Sequence, residues 1–335
     1  MAGTSEGTVA VTGADGFIGS HLVERLVRHG FRVRAMALYT SLGGYGWLDS
    51  LPEEVMAGVE VVLGDVRDPD SVDGLVAGAG TVFHLAALIA IPYSYVAPRS
   101  YVETNVVGTL NVLEAARRHG TGRVVHTSTS ETYGTARTVP IDERHPLQAQ
   151  SPYAASKVAA DKLAESYHLS FGLPVVTLRP FNTFGPRQSA RAVIPTVISQ
   201  LAAGHRRIAL GALTPTRDFL FVRDTAEAFL TVGTADGAAV HGRLFNAGTG
   251  REISVGDLVR TIARLMDVDA EVVVDPRRIR PDASEVQRLV CDSGALREAT
   301  GWAPGHDLTQ GLVETIGWFR DPENLARYRT GTYVI

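Results

Sequence analysis

Across the first half of the chain, short apolar runs rich in β-branched residues alternate with stretches whose apolar positions recur every three or four residues. That alternation predicts βαβ units around a parallel sheet buried on both faces. Thr8 to Val11, Arg32 to Leu38, Val59 to Leu63, Thr81 to Leu85, Arg123 to Thr127 and Val175 to Leu178 read as six strands. Phe17 to His29 reads as a helix closed by Gly30, and Tyr101 to His119 as another. A further helix starts after Ser151-Pro152, where serine suits the N-cap and proline the first helical position.

After Pro180 the alternation weakens, and Gly, Pro and Arg become common around a helix near Ala192 to Ala203. This stretch is expected to form a smaller lobe above the sheet. Phe219 to Val222, a helix from Asp224 and a strand Leu244 to Asn246 are expected to return to the first domain. Ser254 to Met266, Glu271 to Val274 and Leu308 to Arg320 then rejoin the lobe, so the two domains interleave.

With 335 residues, 45% of them hydrophobic, the chain is long enough for one large core and a second lobe. A net charge of −4 gives no reason to expect a nucleic-acid partner, and the short basic run at 277–280 does not change that. The single cysteine, Cys291, excludes an internal disulfide framework and is expected to be a small core residue. No apolar run is long enough for a membrane span, and Met1 to Gly7 lacks the pattern of a secretory leader. A soluble, cytoplasmic protein is expected.

Gly13, Gly16 and Gly19 sit between the first strand and the first helix, within Thr12-Gly13-Ala14-Asp15-Gly16-Phe17-Ile18-Gly19. Side chains there would keep the backbone from a pyrophosphate and the helix from its strand, and the helix N-terminus presents unpaired amides to anionic phosphates. The expected fold is therefore α/β, a Rossmann-type doubly wound sheet. Residues 1–182 and 217–248 would form it, and residues 183–216 and 249–335 the interleaved substrate lobe. At the end of the second strand Ala37 stands where an acidic residue commonly grips the adenosine ribose. No arginine follows at Leu38 or Tyr39 to hold a 2′-phosphate. NAD is the expected dinucleotide, with NADP left open, and Asp65-Val66 is placed to meet the adenine edge.

Tyr153 and Lys157 lie four apart on one face of the predicted helix, where an ammonium favours the phenolate of a neighbouring tyrosine. Ser128 and Thr129 end the preceding strand, and their hydroxyls are expected to reach the reacting oxygen. Histidines at 84, 126, 145 and 168 have no metal-ligand spacing, so no metal is expected. His84 and His126 are expected to be satisfied core residues.

The TGADGFIG turn, GDVRD at 64–68, HLAA at 84–87, Asn105, YAASK at 153–157 and RPFNTFGPR at 179–187 resemble the extended short-chain dehydrogenase/reductases, specifically the nucleotide-sugar epimerases, dehydratases and decarboxylases. The resemblance implies a triad of Thr129, Tyr153 and Lys157 that oxidises the sugar at C4. Cofactor contacts would fall at Gly13, Gly16, Phe17, Ile18, Gly19, Asp65, Val66, Leu85, Ala86, Ala87, Asn105, Thr127, Tyr153, Lys157 and Pro180. Asn182, Arg187, Arg217 and Arg280 would meet the nucleotide diphosphate, in a lobe that also carries Arg191. Ser94, Tyr95 and Thr129 would border the hexose. The helices Tyr101 to His119 and Ser151 onward imply a homodimer, with Ala154, Ala155, Ala159 and Ala160 allowing close approach.

Glu131 separates the reactions within this family, because a 4,6-dehydratase needs a base for the C5 proton and a 4-epimerase does not. Thr129-Ser130-Glu131 resembles the triplet of GDP-mannose 4,6-dehydratases and departs from that of dTDP-glucose 4,6-dehydratases, which have Asp at the Ser130 position; UDP-glucuronate decarboxylases carry Thr-Ser-Glu too, so the triplet leaves that reaction open. Either Glu131 or Ser130 would then protonate the departing C6 hydroxyl. The segments at 39–52, 87–98, 179–196 and 328–335 look most like the N-acetylglucosamine-nucleotide 4,6-dehydratases of legionaminic acid synthesis. A nucleotide-sugar 4,6-dehydratase is the expected activity. The alternatives are a UDP-glucuronate decarboxylase or 4-epimerase, a UDP-hexose 4-epimerase and, more remotely, a non-catalytic dinucleotide-binding regulator.

Overall fold

The six expected strands and one later run join a single parallel sheet in the computed structural model, which describes residues 7–330. Residues 1–6 and 331–335, which include most of the start and the end of the 328–335 segment, lie outside the described residues. The strands are β1 (Thr8–Thr12), β2 (Arg32–Leu38), β3 (Val59–Gly64), β4 (Thr81–His84), β5 (Arg123–Thr127) and β6 (Val175–Pro180). Leu244–Ala247 adds a seventh, pairing with β6. From one edge the order is Leu244–Ala247, β6, β5, β4, β1, β2, β3, with every neighbour parallel. Strand order reverses between β1 and β4, so a crevice opens at their carboxyl ends, where doubly wound sheets bind ligands.

The Phe17–His29 helix ends at Gly30, whose φ of 108° is a conformation that a side chain disfavours. Its Leu22, Val23 and Leu26 are buried with Phe229 and Leu230 of the Val222–Thr234 helix, which covers the same face of the sheet. On the other face Val72, Leu75, Leu113, Ala116 and Ala164 form a second core under the helices Pro69–Val76, Gly108–His119 and Pro152–Phe171.

The expected helix from Tyr101 to His119 forms and runs without a break from Pro98 to His119, with a π-helical turn at Val102–Val107 inside it. The extra residue in that turn surrounds Asn105, and such bulges often mark functional sites. Ser151 caps the next helix as expected, its Oγ accepting from the Ala154 amide at 3.1 Å.

A third core, including Phe184, Val197, Ile208, Ile262, Leu312 and Phe319, holds the lobe. Three two-stranded sheets edge it: Arg207–Leu210 with Glu271–Val274, Thr216–Arg217 with Ile253–Ser254, and Asn182–Phe184 with Phe219–Phe221. The last pairing corrects the expectation that Phe219 to Val222 returns to the first domain. Phe219 and Phe221 enter the lobe core, while Leu220, one residue out of phase, faces the main core. The helix that follows starts at Val222 and does pack against Phe17–His29.

Aromatic residues tie the lobe to the loop after β2. Trp47 lies edge-on to Trp318 at 5.7 Å and stacks on Tyr328 at 6.4 Å. The Tyr328 hydroxyl donates to the Gln188 carbonyl at 2.9 Å.

Candidate active site

Thr12 ends β1 and its Oγ1 accepts from the amides of Leu85 and Ala86, both at 3.1 Å, which draws the end of β4 against the glycine turn. A Cβ on Gly13 would lie 2.7 Å from the Ala86 nitrogen, and one on Gly19 only 2.0 Å from the Gly13 carbonyl. The turn is therefore a bare backbone cradle at the N-terminus of Phe17–His29, the shape a pyrophosphate requires. Thr127, at the end of β5, has a buried Oγ1 with no partner among the described residues. An orphan hydroxyl beside the cleft fits a polar ligand there.

Val66 is buried and packs under Gly108, while the Asp65 carboxylate is held by Arg67 in a pair that keeps its pKa below the usual range. Asn105 is wholly taken up inside the protein. Its amide bonds both backbone groups of Leu88 and the Ser156 hydroxyl, so it positions the loop after β4. Leu85, Ala86 and Ala87 follow β4 directly, and Pro180 ends β6.

Tyr153 and Lys157 lie one turn apart on the Pro152–Phe171 helix, both buried. The Lys157 ammonium donates to the Thr127 carbonyl at 2.6 Å, and burial lowers its pKa to about 8. Burial raises the Tyr153 phenol well above its ordinary value, and the Thr129 side chain is the group that draws it back down. Thr129 also accepts from the Glu131 amide at 3.3 Å, fixing the short 3-10 turn Ser130–Tyr133 that carries the carboxylate. The Glu131 charge favours the charged form of Arg217 and opposes ionisation of Tyr153. Ser130 is buried at 3% exposure, whereas Glu131 is only partly buried.

Ser128 does not reach the reacting oxygen as expected. Strand alternation turns it away from Thr129, and its Oγ donates to Asp161 at 2.6 Å. Asp161 is one turn beyond Lys157 and also accepts from His126 at 2.9 Å and from Arg179 at 2.7 Å. Burial works to raise Asp161, yet the His126 hydrogen bond and the charges of Arg179 and Lys157 hold it well below the carboxylate range. This buried network was missed in the sequence because its members are scattered over β5, β6 and a helix. His84 is satisfied on both ring nitrogens, by Thr12 and Thr109. His126 is satisfied on one only, since its Nδ1 has no partner among the described residues.

On the lobe side Arg217 is nearly buried, with Glu285 at 3.3 Å, and Arg280 meets the same Glu285 oxygen at 3.4 Å. Asp218 beside it is fully buried, and its carboxylate accepts from the Thr249, Gly250 and Cys291 amides and the Thr249 hydroxyl. Neither Glu285 nor Asp218 was singled out from sequence, although Asp218 anchors the backbone that presents Arg217. Asn182 pairs with the Asp218 carbonyl through its own amide at 3.1 Å. Arg187 is directed elsewhere, toward Ser20 and Glu24 of the first helix. Ser94 is buried and bonds the Ile91 carbonyl in its own turn, whereas the Tyr95 hydroxyl meets Ser284 at 2.5 Å.

A doubly wound sheet with a glycine cradle at its switch point, and a hydroxyl, tyrosine and lysine beside it, defines the short-chain dehydrogenase/reductase class. The family model described as GDP-mannose 4,6 dehydratase matches residues 10–315, and the chain belongs to that family of nucleotide-sugar-modifying enzymes. It is 36% identical over 315 residues to a dTDP-glucose 4,6-dehydratase of Streptomyces antibioticus, covering 93% of this chain and 92% of the relative. It is also 36% identical to a UDP-glucose 4-epimerase of Mycolicibacterium smegmatis, covering 93% and 98%. Among solved structures, a dTDP-glucose 4,6-dehydratase of Streptomyces venezuelae with NAD bound superposes with a TM-score of 0.84 at 28% identity, over 94% of this chain and 97% of that one. A UDP-N-acetylglucosamine 4-epimerase of Methanobrevibacter ruminantium gives 0.84 at 29% identity, over 94% and 99%.

Proposed function

We propose that the chain is an NAD-dependent nucleotide-sugar 4,6-dehydratase. The observation that carries this reading is Glu131, an additional carboxylate on the short turn that Thr129 caps. A 4-epimerase has no use for it. The glycine cradle and the orphan Thr127 hydroxyl support NAD as the resident dinucleotide, which when bound supplies the acceptor and later the donor of a hydride.

Tyr153, whose phenol the Thr129 side chain draws down, removes the C4 hydroxyl proton, with Lys157 one turn away held on the Thr127 carbonyl. The ketone at C4 acidifies the C5 proton, which Glu131 takes. The C6 hydroxyl then departs as water. Ser130 is buried, so Glu131, newly protonated, is the better donor to that leaving group. The net change is loss of one water from the hexose, with no net oxidation. Arg217 and Arg280 would receive the diphosphate, and Tyr95 with Ser284 would border the sugar.

The subgroup likeness makes a nucleotide-linked N-acetylglucosamine the first substrate to try, and the relatives make dTDP-glucose the second. A homodimer is proposed through the Gly108–His119 and Pro152–Phe171 helices. Ala154 and Ala160 are buried in their own chain, which leaves Ala155 and Ala159 as the exposed small residues of that face.

Mass spectrometry of products from GDP-, UDP-, CDP- and dTDP-linked hexoses tests the reading. A new ketone lighter by one water is expected. An isomer of unchanged mass, or loss of carbon dioxide from a uronic acid, would replace it with epimerisation or decarboxylation. Glu131→Gln is expected to slow water loss by about 10²- to 10⁴-fold.

A further inference from the structure

The end of β2 offers the adenosine ribose no carboxylate, since Ala37 is fully buried and neither Leu38 nor Tyr39 carries charge. A carboxylate nevertheless stands there, delivered from another element. Asp15, inside the glycine turn, places Oδ2 3.1 Å from the Leu38 amide. Its main chain is fixed as well, because its carbonyl accepts from the Trp47 amide at 3.0 Å, and Trp47 is clasped by Trp318 and Tyr328. Gly46 closes over the same carbonyl so tightly that a Cβ there would approach to 2.6 Å.

Arg34, the cation of β2 nearest that end, lies four residues back along the strand and donates to the carbonyls of Leu75 and Ala77, each at 2.8 Å. Arg67 grips both oxygens of Asp65. The ribose position at the end of β2 therefore has a fixed anion, and the guanidinium groups of Arg34 and Arg67 are occupied. A carboxylate accepts hydrogen bonds from a ribose diol and repels a phosphate dianion set in its place.

We propose that Asp15 selects the dinucleotide, accepting from the adenosine ribose hydroxyls and rejecting a 2′-phosphate, a task that β2 leaves unfilled. The proposal rests on the reading of the chain as a dinucleotide-dependent enzyme.

Titration calorimetry of the purified full-length protein with NAD and with NADP, independent of turnover, tests it. The wild type is expected to bind NAD at least tenfold more tightly. Asp15→Ala should lower that preference by about 10- to 100-fold. Asp15→Asn keeps an oxygen for the Leu38 amide but loses the charge, so it should narrow the preference chiefly by strengthening NADP. Thermal midpoints measured alongside identify a variant that fails to fold, and the asparagine variant then decides. An unchanged preference in a folded variant, or a wild type that favours NADP, overturns the role of Asp15 alone. Binding of neither dinucleotide by the wild type overturns the cofactor reading together with it.

Discussion

On the sheet side of the cleft Tyr153 and Lys157 stand on a 20-residue helix, and behind them a buried carboxylate bonds to β5 and β6. On the lobe side Arg217 lies on a two-residue strand and Arg280 on a loop, and the two share one acidic partner, Glu285. The first wall is set by regular structure and charge compensation deep in the core. The second is set by short segments whose main chain is pinned by Asp218. Chemistry common to the family needs fixed atoms at one point, and the proposed reading gives that task to the rigid wall. Recognition of a nucleotide can vary among relatives, and the looser wall is where variation costs least.

The largest expected effect falls on the rigid wall. Tyr153→Phe removes the proton acceptor and should slow product formation by about 10²- to 10⁴-fold, measured as ketone released per enzyme, with the fold kept. Retained turnover would break the assignment of Tyr153.

Asp161→Asn sharpens the comparison through stability. Removing the partner of a buried cation costs about 3–5 kcal/mol, and Arg179 would lose its carboxylate, while Lys157 keeps the Thr127 carbonyl but loses a favourable charge. Because Asp161 is held below its ordinary pKa, its contribution is full above the carboxylate range and fades as pH falls through it. Acid unfolding of the wild type should therefore steepen below about pH 4, and the variant should lack that component. Asp161 also raises the Lys157 pKa against the effect of burial. If activity requires the ammonium, the wild-type rate should fall above about pH 8, and the variant's fall should begin at lower pH. A wild-type profile that the substitution leaves in place would show that Asp161 acts on stability alone.

On the lobe wall the smallest effect is expected. Arg217→Ala should raise KM for the nucleotide sugar by about 10- to 100-fold, with kcat less affected, since charge-assisted bonds to a diphosphate are lost in ground and transition states alike. A fall in kcat with KM unchanged would move Arg217 into the chemistry and erase the contrast between the walls.

The glycine turn, the first helix with its Gly30 cap, and the Tyr153/Lys157 pair were all legible because each is a local pattern. Backbone conformation and helical spacing are decided by residues a few positions apart. The six strands were legible for the same reason, as was Ser151 at its cap. Sequence alone could not show that Ser128 turns inward while Thr129 faces out, because that depends on which face of β5 meets the 152–171 helix. Nor could it join Asp161, Arg179 and His126, which approach one another only when β5 and β6 pair and the helix lies across them.

Asn105 makes the same point from the other direction. Its place in a familiar pattern suggested contact with a cofactor, and only the fold shows that its amide also holds the loop after β4, through Leu88, to the Ser156 hydroxyl. Asp15 was visible in the glycine turn, but its nearness to β2 arises from the parallel pairing that sets Leu38 beside it. The sequence by itself determined the sheet, the cradle and the helical pair, since local propensity and spacing are enough for those. Only the tertiary structure decided which carboxylates stand beside which cations, because hydrogen bonding and desolvation act between residues that the chain brings together from far apart.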